Sequence, residues 1–223
     1  MHQTRQNTSV RLPIVRKGTK YIVRALNNHR TAVPVLIAVR DMLSLAQNAK
    51  EVKKMIQQKA LKVNWQPITN YKQSIKLFNL LEADKTYRLI LSPTGKFLLE
   101  ENPTKGVRLC KVINKTLIKG NKLQLNLHDG TNIITTEKIN VQDSVHVDEK
   151  TKIKKHIPMK ENSNAFITSG KYAGHQGKIL SISNNQIKIK LSDKETTLKI
   201  KDVIVQWKQQ QKKKLRKLKN LRR

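Results

Sequence analysis

The sequence predicts an α+β fold: three small modules in series, with basic extensions at both ends. Three observations point there. Apolar residues recur with helical period between positions 35 and 59. The period drops to two between Tyr87 and Val147, as in half-buried strands. Five short strand patterns then crowd into 165–207, the spacing of a small all-β barrel.

Residues 1–34 hold Arg5, Arg11, Arg16, Lys17, Lys20, Arg24 and Arg30, and no acid. Their apolar positions are sparse and lack helical period. This predicts an extended basic arm with a short strand at Tyr21-Ile22-Val23, of the kind that orders on a partner. In 35–46, Val35, Val39, Met42, Leu43 and Ala46 line one helical face. Pro34 suits the entry, because a first-turn N–H has no partner to lose. Asn48 with Glu51 three residues on resembles a capping box and starts a second helix, 49–59. Ala49, Val52 and Ile56 form its apolar face. At 100° per residue, Lys50, Lys53 and Lys54 share a different sector. Leu61-Lys62-Val63 alternates like a strand, and Asn64-Trp65 makes a turn.

Strand patterns follow at 88–91, 107–113, 123–127 and 145–147. Asp129-Gly130 signals a hairpin, since a type I′ turn needs positive φ at both central residues. Residues 148–163 are polar and lysine-rich, a predicted linker. Strands resume at 165–169, 176–182, 186–191, 195–200 and 203–207, with Asn184-Asn185 and Ser192-Asp193 at turns. The last segment, 208–223, has basic residues, no acid, and Leu215, Leu218 and Leu221 at spacing three.

The charge balance narrows function. Lys and Arg number 46 against 15 Asp and Glu, a formal net charge of +31. Solubility needs a magnitude of only about 2–8 in a small domain. A larger excess repels itself and destabilises a compact state unless a polyanion neutralises it. Nucleic acid fits best; an anionic membrane or an acidic protein would supply the same charge. No apolar run approaches the roughly 20 residues of a membrane span. The N-terminus has charge but no apolar core of a secretory signal. Cys110 is the single cysteine, which rules out an intrachain disulfide and a cysteine zinc ribbon. It reads as a small buried apolar residue.

Enzyme chemistry finds no support. The six histidines are scattered, and none pairs with another at metal-ligand spacing. No nucleophile elbow, Walker loop or carboxylate pair appears, so no catalytic residue, metal, cofactor or small-molecule substrate is assigned. Aromatic residues are 4% of the chain, too few for base-stacking platforms. The expected mode is recognition of phosphate and shape by cations. Gly170, Gly174 and Gly177, interleaved with Lys171 and Lys178, predict a tight loop whose backbone could lie against phosphates. An ordinary glycine-rich turn reads the same way. The lysine sector of the second helix likewise suits either RNA or solvent.

The order of parts resembles a known family. Leu12-Pro13-Ile14-Val15-Arg16-Lys17-Gly18-Thr19-Lys20-Tyr21-Ile22-Val23-Arg24 is similar to the N-terminal signature of the archaeal and eukaryotic (e-type) small-subunit ribosomal protein S-four family. Val33-Pro34-Val35-Leu36, Val39-Arg40-Asp41 and Asn48-Ala49-Lys50-Glu51 through Val63-Asn64 look like its helix–helix–strand RNA-binding module, the S-four domain. Leu109-Cys110-Lys111-Val112 and Gln124 through Gly130 are similar to its central domain. Ile167 through Gly174, with Gly177-Lys178-Ile179, resembles a KOW motif on an SH3-like barrel. Trp65 stands where the family's turn usually has Gly, and Ser169 replaces a common Gly. The stretch around Phe78-Asn79-Leu80-Leu81 is a poor match. The chain's short length favours an archaeal source.

The resemblance implies an S-four-type RNA-binding module at 35–82, an all-β central domain with its linker at 83–163 and a KOW-bearing SH3-like barrel at 164–207. The arm 1–34 and the tail 208–223 flank them. It implies a structural constituent of the small ribosomal subunit that supports assembly and translation. Its partners would be small-subunit rRNA and neighbouring ribosomal proteins, in cytoplasmic ribosomes. By matched motif the RNA contacts are Arg16, Lys17, Lys20, Arg24, Arg40, Lys50, Lys53, Lys54, Lys171 and Lys178. The charge of the tail adds Lys212, Lys213, Lys214, Arg216 and Lys217. A non-ribosomal accessory factor for rRNA or tRNA is the alternative, since S-four modules also occur on RNA-modifying proteins. A DNA-packing protein fits the charge but not the ordered modules.

The tail is the part least tied to the resemblance. Three leucines without an aromatic offer little apolar area to anchor on a membrane. A helix this short is marginal in water, so the sequence predicts a tail that becomes helical along an RNA groove. Deleting 209–223 should leave the melting temperature nearly unchanged. It should reduce the slope of log K against log salt by several units, at roughly 0.7–0.9 per phosphate neutralised. A truncated chain that melts earlier, or one that keeps its full slope, would contradict this.

Overall fold

The computed structural model describes residues 2–101, 106–120, 122–191 and 194–206; the tail cations Lys212, Lys213, Lys214, Arg216 and Lys217 lie outside them. The described chain is β-rich, with three five-stranded sheets, two small strand pairs, two short helical segments and a 3-10 turn.

The N-terminal segment is folded onto the body rather than extended. β1 (His2–Thr4) pairs antiparallel with β2 (Tyr21–Val23). Leu12 and Ile22 bury in the main core, and the Phe97 amide donates to the Arg11 carbonyl at 2.8 Å. Few apolar residues suffice here because Arg5 supplies donors to the loop. Its Nε donates to the Thr19 carbonyl at 2.8 Å and its Nη1 to the Val15 carbonyl. Gly18, at φ +133°, lets the loop close on this guanidinium, with Arg5 Nη2 only 3.0 Å from where a Cβ would stand.

β3 (Val33–Pro34) pairs with β6 (Ser74–Ile75). It leads into α1 (Val35–Ile37), which widens into a π-helical turn, Ala38–Met42. The predicted helix 35–46 therefore stops early. Leu43 bonds back five residues to Ala38, and Ser44 sits at φ +55°, outside helical space. Val35 to Val39 are all buried, so this is an enclosed turn and not a one-faced helix. α2 (Ala49–Gln57) begins as the sequence predicts. Asn48 Oδ1 accepts from the amides of Lys50 and Glu51 at 2.9 and 3.0 Å. Glu51 Oε2 reaches back to the Gln47 amide at 2.7 Å. A cap of this kind contributes about 1 kcal/mol. The helix ends two residues before the predicted 59, where Lys59 turns to φ +56°.

β4 (Lys62–Val63) and β5 (Gln66–Pro67) form a two-residue hairpin. Asn64 and Trp65 both have positive φ, 51° and 67°, as a type I′ turn requires. Trp65 thus takes a conformation usual for glycine, with the Arg108 guanidinium carbon 5.9 Å from its ring centre. β7 (Leu80–Glu82), β8 (Thr86–Leu91) and β9 (Phe97–Glu101) complete a sheet of order β5-β4-β7-β8-β9, which crosses position 82/83.

The second sheet has the order β12-β11-β10-β13-β14. Its strands are β10 (Val107–Ile118), β11 (Lys122–Leu127), β12 (Asn132–Thr135), β13 (Ser144–Asp148) and β14 (Ile153–Ile157). The Asp129-Gly130 hairpin forms with a different turn from the predicted type I′. Gly130 N bonds Leu127 O at 3.0 Å, Leu127 N bonds Thr131 O at 2.9 Å, and only Gly130 has positive φ. That is a three-residue loop with the glycine in a bulge. β14 stands where a linker was expected. Asp143 fixes its exit, with His156 Nε2 at 2.7 Å on one oxygen and the Met159 amide at 2.9 Å on the other.

The third sheet, order β18-β17-β16-β15-β19, follows the sequence pattern closely. β15 (Asn164–Ile167), β16 (Gln176–Ile182), β17 (Gln186–Lys190) and β18 (Glu195–Lys199) lead through a 3-10 turn, Ile200–Asp202, to β19 (Val203–Gln206). Its inward residues join the core of the first sheet. Phe78 meets Phe166 edge-on, with ring centres 5.3 Å apart. At Gly174 the close backbone approach is to protein rather than phosphate. A Cβ there would lie 2.0 Å from the Ser92 carbonyl oxygen, in the loop between β8 and β9, and φ is +90°. Gly177 has ordinary φ but packs on β17, with Ile189 Cγ2 2.5 Å from a hypothetical Cβ. Gly170 is open, at φ +86°.

β10 carries two buried cations. Lys111 Nζ donates to the carbonyls of Ile200, Lys201 and Val203 at 2.7, 3.2 and 2.6 Å, which ties the second sheet to the end of the third. Burial pulls its pKa down from 10.5 to about 8, against the opposing pull of Asp202. Arg108 pairs with the enclosed Asp129 at 2.5 Å and donates to Thr131 Oγ1 at 3.1 Å. Burial alone would raise the Asp129 carboxyl, but Arg108 and Thr131 outweigh it and hold the pKa below its usual value. His128 links the same strand to the segment between β6 and β7, which leads into the first sheet. Its Nδ1 accepts from the Lys111 amide at 3.1 Å and its Nε2 donates to the Leu77 carbonyl at 2.8 Å. Burial lowers its pKa, in keeping with this neutral tautomer. Cys110 is buried beside them, and burial pushes its thiol well up.

Two outcomes follow from this packing. Gly174→Ala should destabilise by about 1–3 kcal/mol from backbone strain alone, more if the Ser92 loop is displaced, with no change in net charge. An unchanged melting temperature would refute the close approach. For Lys111, the folded pKa lies below the unfolded one, so the unfolded chain binds more protons between about pH 8 and 10.5. Stability contributed by Lys111 therefore rises with pH across that window. The stability of wild type minus that of Lys111→Met should grow there, by at most about 3 kcal/mol. A difference that is flat with pH would show that Lys111 is not buried as a charged group at neutral pH.

Candidate nucleic-acid interface

Cations and carboxylates are sorted differently by the fold. Several carboxylates are occupied within the protein. Asp129 holds Arg108, Asp41 holds Arg40, Glu101 holds Lys85 at 2.6 Å, Asp148 holds Lys154 at 3.1 Å and Glu51 caps α2. The exposed lysines gain few counter-charges in return.

The loop between β1 and β2 presents Arg16, Lys17 and Lys20 to solvent. Its grip on Arg5 fixes their backbone, and Lys20 Nζ sits 5.5 Å from the Tyr21 ring centre. Arg24 is half-buried, with Nη2 3.2 Å from His29 Nδ1. Arg40 is also partly covered and makes a two-point contact with Asp41 at 3.0 and 2.9 Å. Its charge is thus paired with a carboxylate, unlike those of the other predicted cations among the described residues.

On α2 the inward residue is Val52, fully buried, with Ala49 and Ile56 partly buried beside it. Lys50, Lys53 and Lys54 are all exposed, and among the described residues none has an ion-pair partner. Lys53 Nζ and Lys72 Nζ lie 5.1 and 5.4 Å from the ring centre of Tyr71. Tyr71 and Lys72 were not singled out from sequence. Their signal was an aromatic beside a lysine in a turn, which has no periodicity to mark it. Such cation–ring contacts are worth about 0.5–1 kcal/mol at exposed sites and hold the ammonium groups in place.

In the third sheet, Lys171 is exposed on the loop that Gly170 opens, with Nζ 5.9 Å from the Tyr172 ring centre. Lys178 projects outward from β16. The structure therefore brings Lys53 together with Tyr71 and Lys72, and it gathers Arg16, Lys17 and Lys20 on one loop. The glycine cluster serves packing at Gly174 and Gly177 and leaves Gly170 open. No group of three His, Cys, Asp or Glu among the described residues could hold a metal ion. No described helix is long and apolar enough to cross a membrane.

Comparison with known proteins gives a consistent result. The family described as Ribosomal family S4e matches over residues 83–153. The small ribosomal subunit protein eS4 of Methanothermobacter thermautotrophicus is 34% identical over 196 residues, 82% of this chain and 79% of that protein. Its counterpart in Methanocaldococcus jannaschii is 34% identical over 206 residues, 83% of each chain. The crystal structure of the 30S ribosomal protein S4e from Thermoplasma acidophilum matches with a TM-score of 0.67 and 26% identity, over 78% of this chain and 94% of that one. At this level of identity, over more than four-fifths of the chain in both relatives, the chain belongs to the ribosomal family S4e.

Proposed function

We propose that this protein is a structural constituent of the small ribosomal subunit that binds small-subunit rRNA through phosphate and shape contacts. It supports subunit assembly and translation, beside neighbouring ribosomal proteins, in cytoplasmic ribosomes. The observation that carries the reading is the sorting of charge in a +31 chain, with several carboxylates occupied in ion pairs or a helix cap and the α2 lysines exposed without a described ion-pair partner. The relatives' names, small ribosomal subunit protein eS4, support it.

The work divides among the parts in order. The arm 1–34 contributes Arg16, Lys17 and Lys20, with Arg24 more enclosed. The S-four-type module 35–82 contributes Lys50, Lys53 and Lys54, and Arg40 serves chiefly to pair Asp41. The central region 83–163 holds the parts in register. The segment 164–207 is a KOW-type SH3-like barrel that offers Lys171 and Lys178, and the tail 208–223 adds further basic residues. Cation contacts of this kind position an RNA and carry little sequence information.

The protein should co-sediment with small subunits and survive moderate salt washing. Recovery in the ribosome-free fraction or on chromosomal DNA would refute the ribosomal role. Replacing Lys50, Lys53 and Lys54 with Gln keeps helix propensity nearly level. In the full chain this triple change should lower the magnitude of the salt slope for rRNA binding by about 2. If the slope does not change, that face is only solvated.

A further inference from the structure

The strand register sorts the third sheet into two faces. Ile187 and Ile189 of β17 are fully buried, so Gln186, Lys188 and Lys190 face outward. Lys178 of β16 pairs directly with Lys190, and Ile179 with Ile189, so Lys178 shares the outward face. On β18, Leu198 pairs with Ile187, which leaves Thr197 beside Lys188 and Lys199 beside Gln186 on that face. Four lysines therefore stand on three adjacent strands: Lys178, Lys188, Lys190 and Lys199.

Their spacing is unfavourable for a free surface. Residues two apart on a strand are about 7 Å apart, and neighbouring strands about 4.8 Å. Both distances lie within a Debye length of about 8 Å at physiological salt, so repulsion is not screened away. Like charges directly opposite, as at Lys178 and Lys190, destabilise a sheet. Glu195 pairs with Lys190 in register, yet none of the four makes an ion pair with a described carboxylate. Among the described residues of β16, β17 and β18, no aromatic side chain is present to stack a base.

We propose that the outward face of β16, β17 and β18 is a separate RNA-binding surface, on which Lys178, Lys188, Lys190 and Lys199 grip the sugar–phosphate backbone. This rests on the ribosomal reading and extends it. It adds three lysines that no motif match selects, on sheet strands and not on a loop or helix. Thr197 and Gln186 lie among the lysines and offer uncharged hydrogen-bonding groups to ribose hydroxyls. Because the groups are fixed by strand register, the surface is preorganised, and binding costs little ordering of the backbone.

The test uses the full chain and a transcript of small-subunit rRNA, titrated at stepped potassium chloride. The variant K178Q/K188Q/K190Q/K199Q should reduce the magnitude of the log K against log salt slope by about 3, at roughly 0.7–0.9 per phosphate. Its melting temperature should be equal or higher, since repulsion is removed. The corresponding four-arginine variant should keep the slope. If the glutamine variant melts earlier, K188Q/K190Q alone should still lower the slope by about 1.5. An unchanged slope in the glutamine variants, beside a reduced one for the α2 lysines, overturns this surface and leaves the ribosomal reading intact. Unchanged RNA binding with loss from small subunits also overturns it, and assigns the face to an acidic protein. A wild-type chain that shows no salt-dependent binding overturns both.

Discussion

Strand β10 places two cations in the interior of a chain that carries +31 overall, and the arrangement of the three sheets depends on them. Lys111 spans from the second sheet to three carbonyls around the 3-10 turn before β19. Those carbonyls end a helical turn, where partial negative charge gathers and a cation is favoured. Arg108 closes the hairpin that carries Asp129, and the neighbouring His128 bonds to the Leu77 carbonyl, in the segment that leads into β7 of the first sheet. Removing one partner of such a buried pair is costly, about 3–5 kcal/mol, because the other is left without compensation. Hydrophobic area alone would also join the sheets, but it would not fix their angles. Directional bonds from a rigid strand do.

This clamp explains how a low apolar fraction can support a defined shape. The first and third sheets share one core, while the second has a small core of its own around Val112, Leu125 and Val145. A core of that size is weak by itself. The polar contacts of β10 attach it to the larger one, so the surfaces on all three parts keep fixed relative positions. The cavity of about 650 Å³ between them is lined by Lys76, Lys111, His128 and Lys201, and it marks where the three parts meet.

Much of this could be read from the sequence, and what could not has physical causes. The α2 cap was legible because Asn48 and Glu51 act locally, within one helical turn. The third sheet was legible because alternation such as that of Gln186 through Lys190 leaves one face buried. At the N-terminus the strand Tyr21–Val23 was legible, but the folding of the arm onto the body was not, since Arg5 makes three hydrogen bonds to a loop that has no period. β9 and β12 were missed because each borrows its register from a neighbouring strand. Asp129-Gly130 gave a hairpin but not its turn, for the Asp129 side chain is committed to Arg108 and Thr131. Gly174 looked like a phosphate loop, and its partner, Ser92, lies 82 residues away in sequence. For the candidate site, the lysines themselves were legible and their pairing was not. Arg40 and Lys53 look alike in a sequence, yet one meets Asp41 and the other a tyrosine ring.

The separation of buried and exposed cations bears on how such a protein can recognise RNA without reading bases. Each exposed lysine offers a weak, undirected attraction, and a flexible set of them would bind any polyanion about equally. Discrimination by shape needs the distances between cation groups to be fixed before RNA arrives. Here the arm loop is tied to Arg5, the α2 lysines to a capped helix, and the third-sheet lysines to strand register. The carboxylates and buried cations that seem wasted in a binding protein supply that rigidity. On the proposed role, an RNA whose backbone follows the same spacing would meet all the groups at once, and one that does not would have to bend or leave charges unpaired.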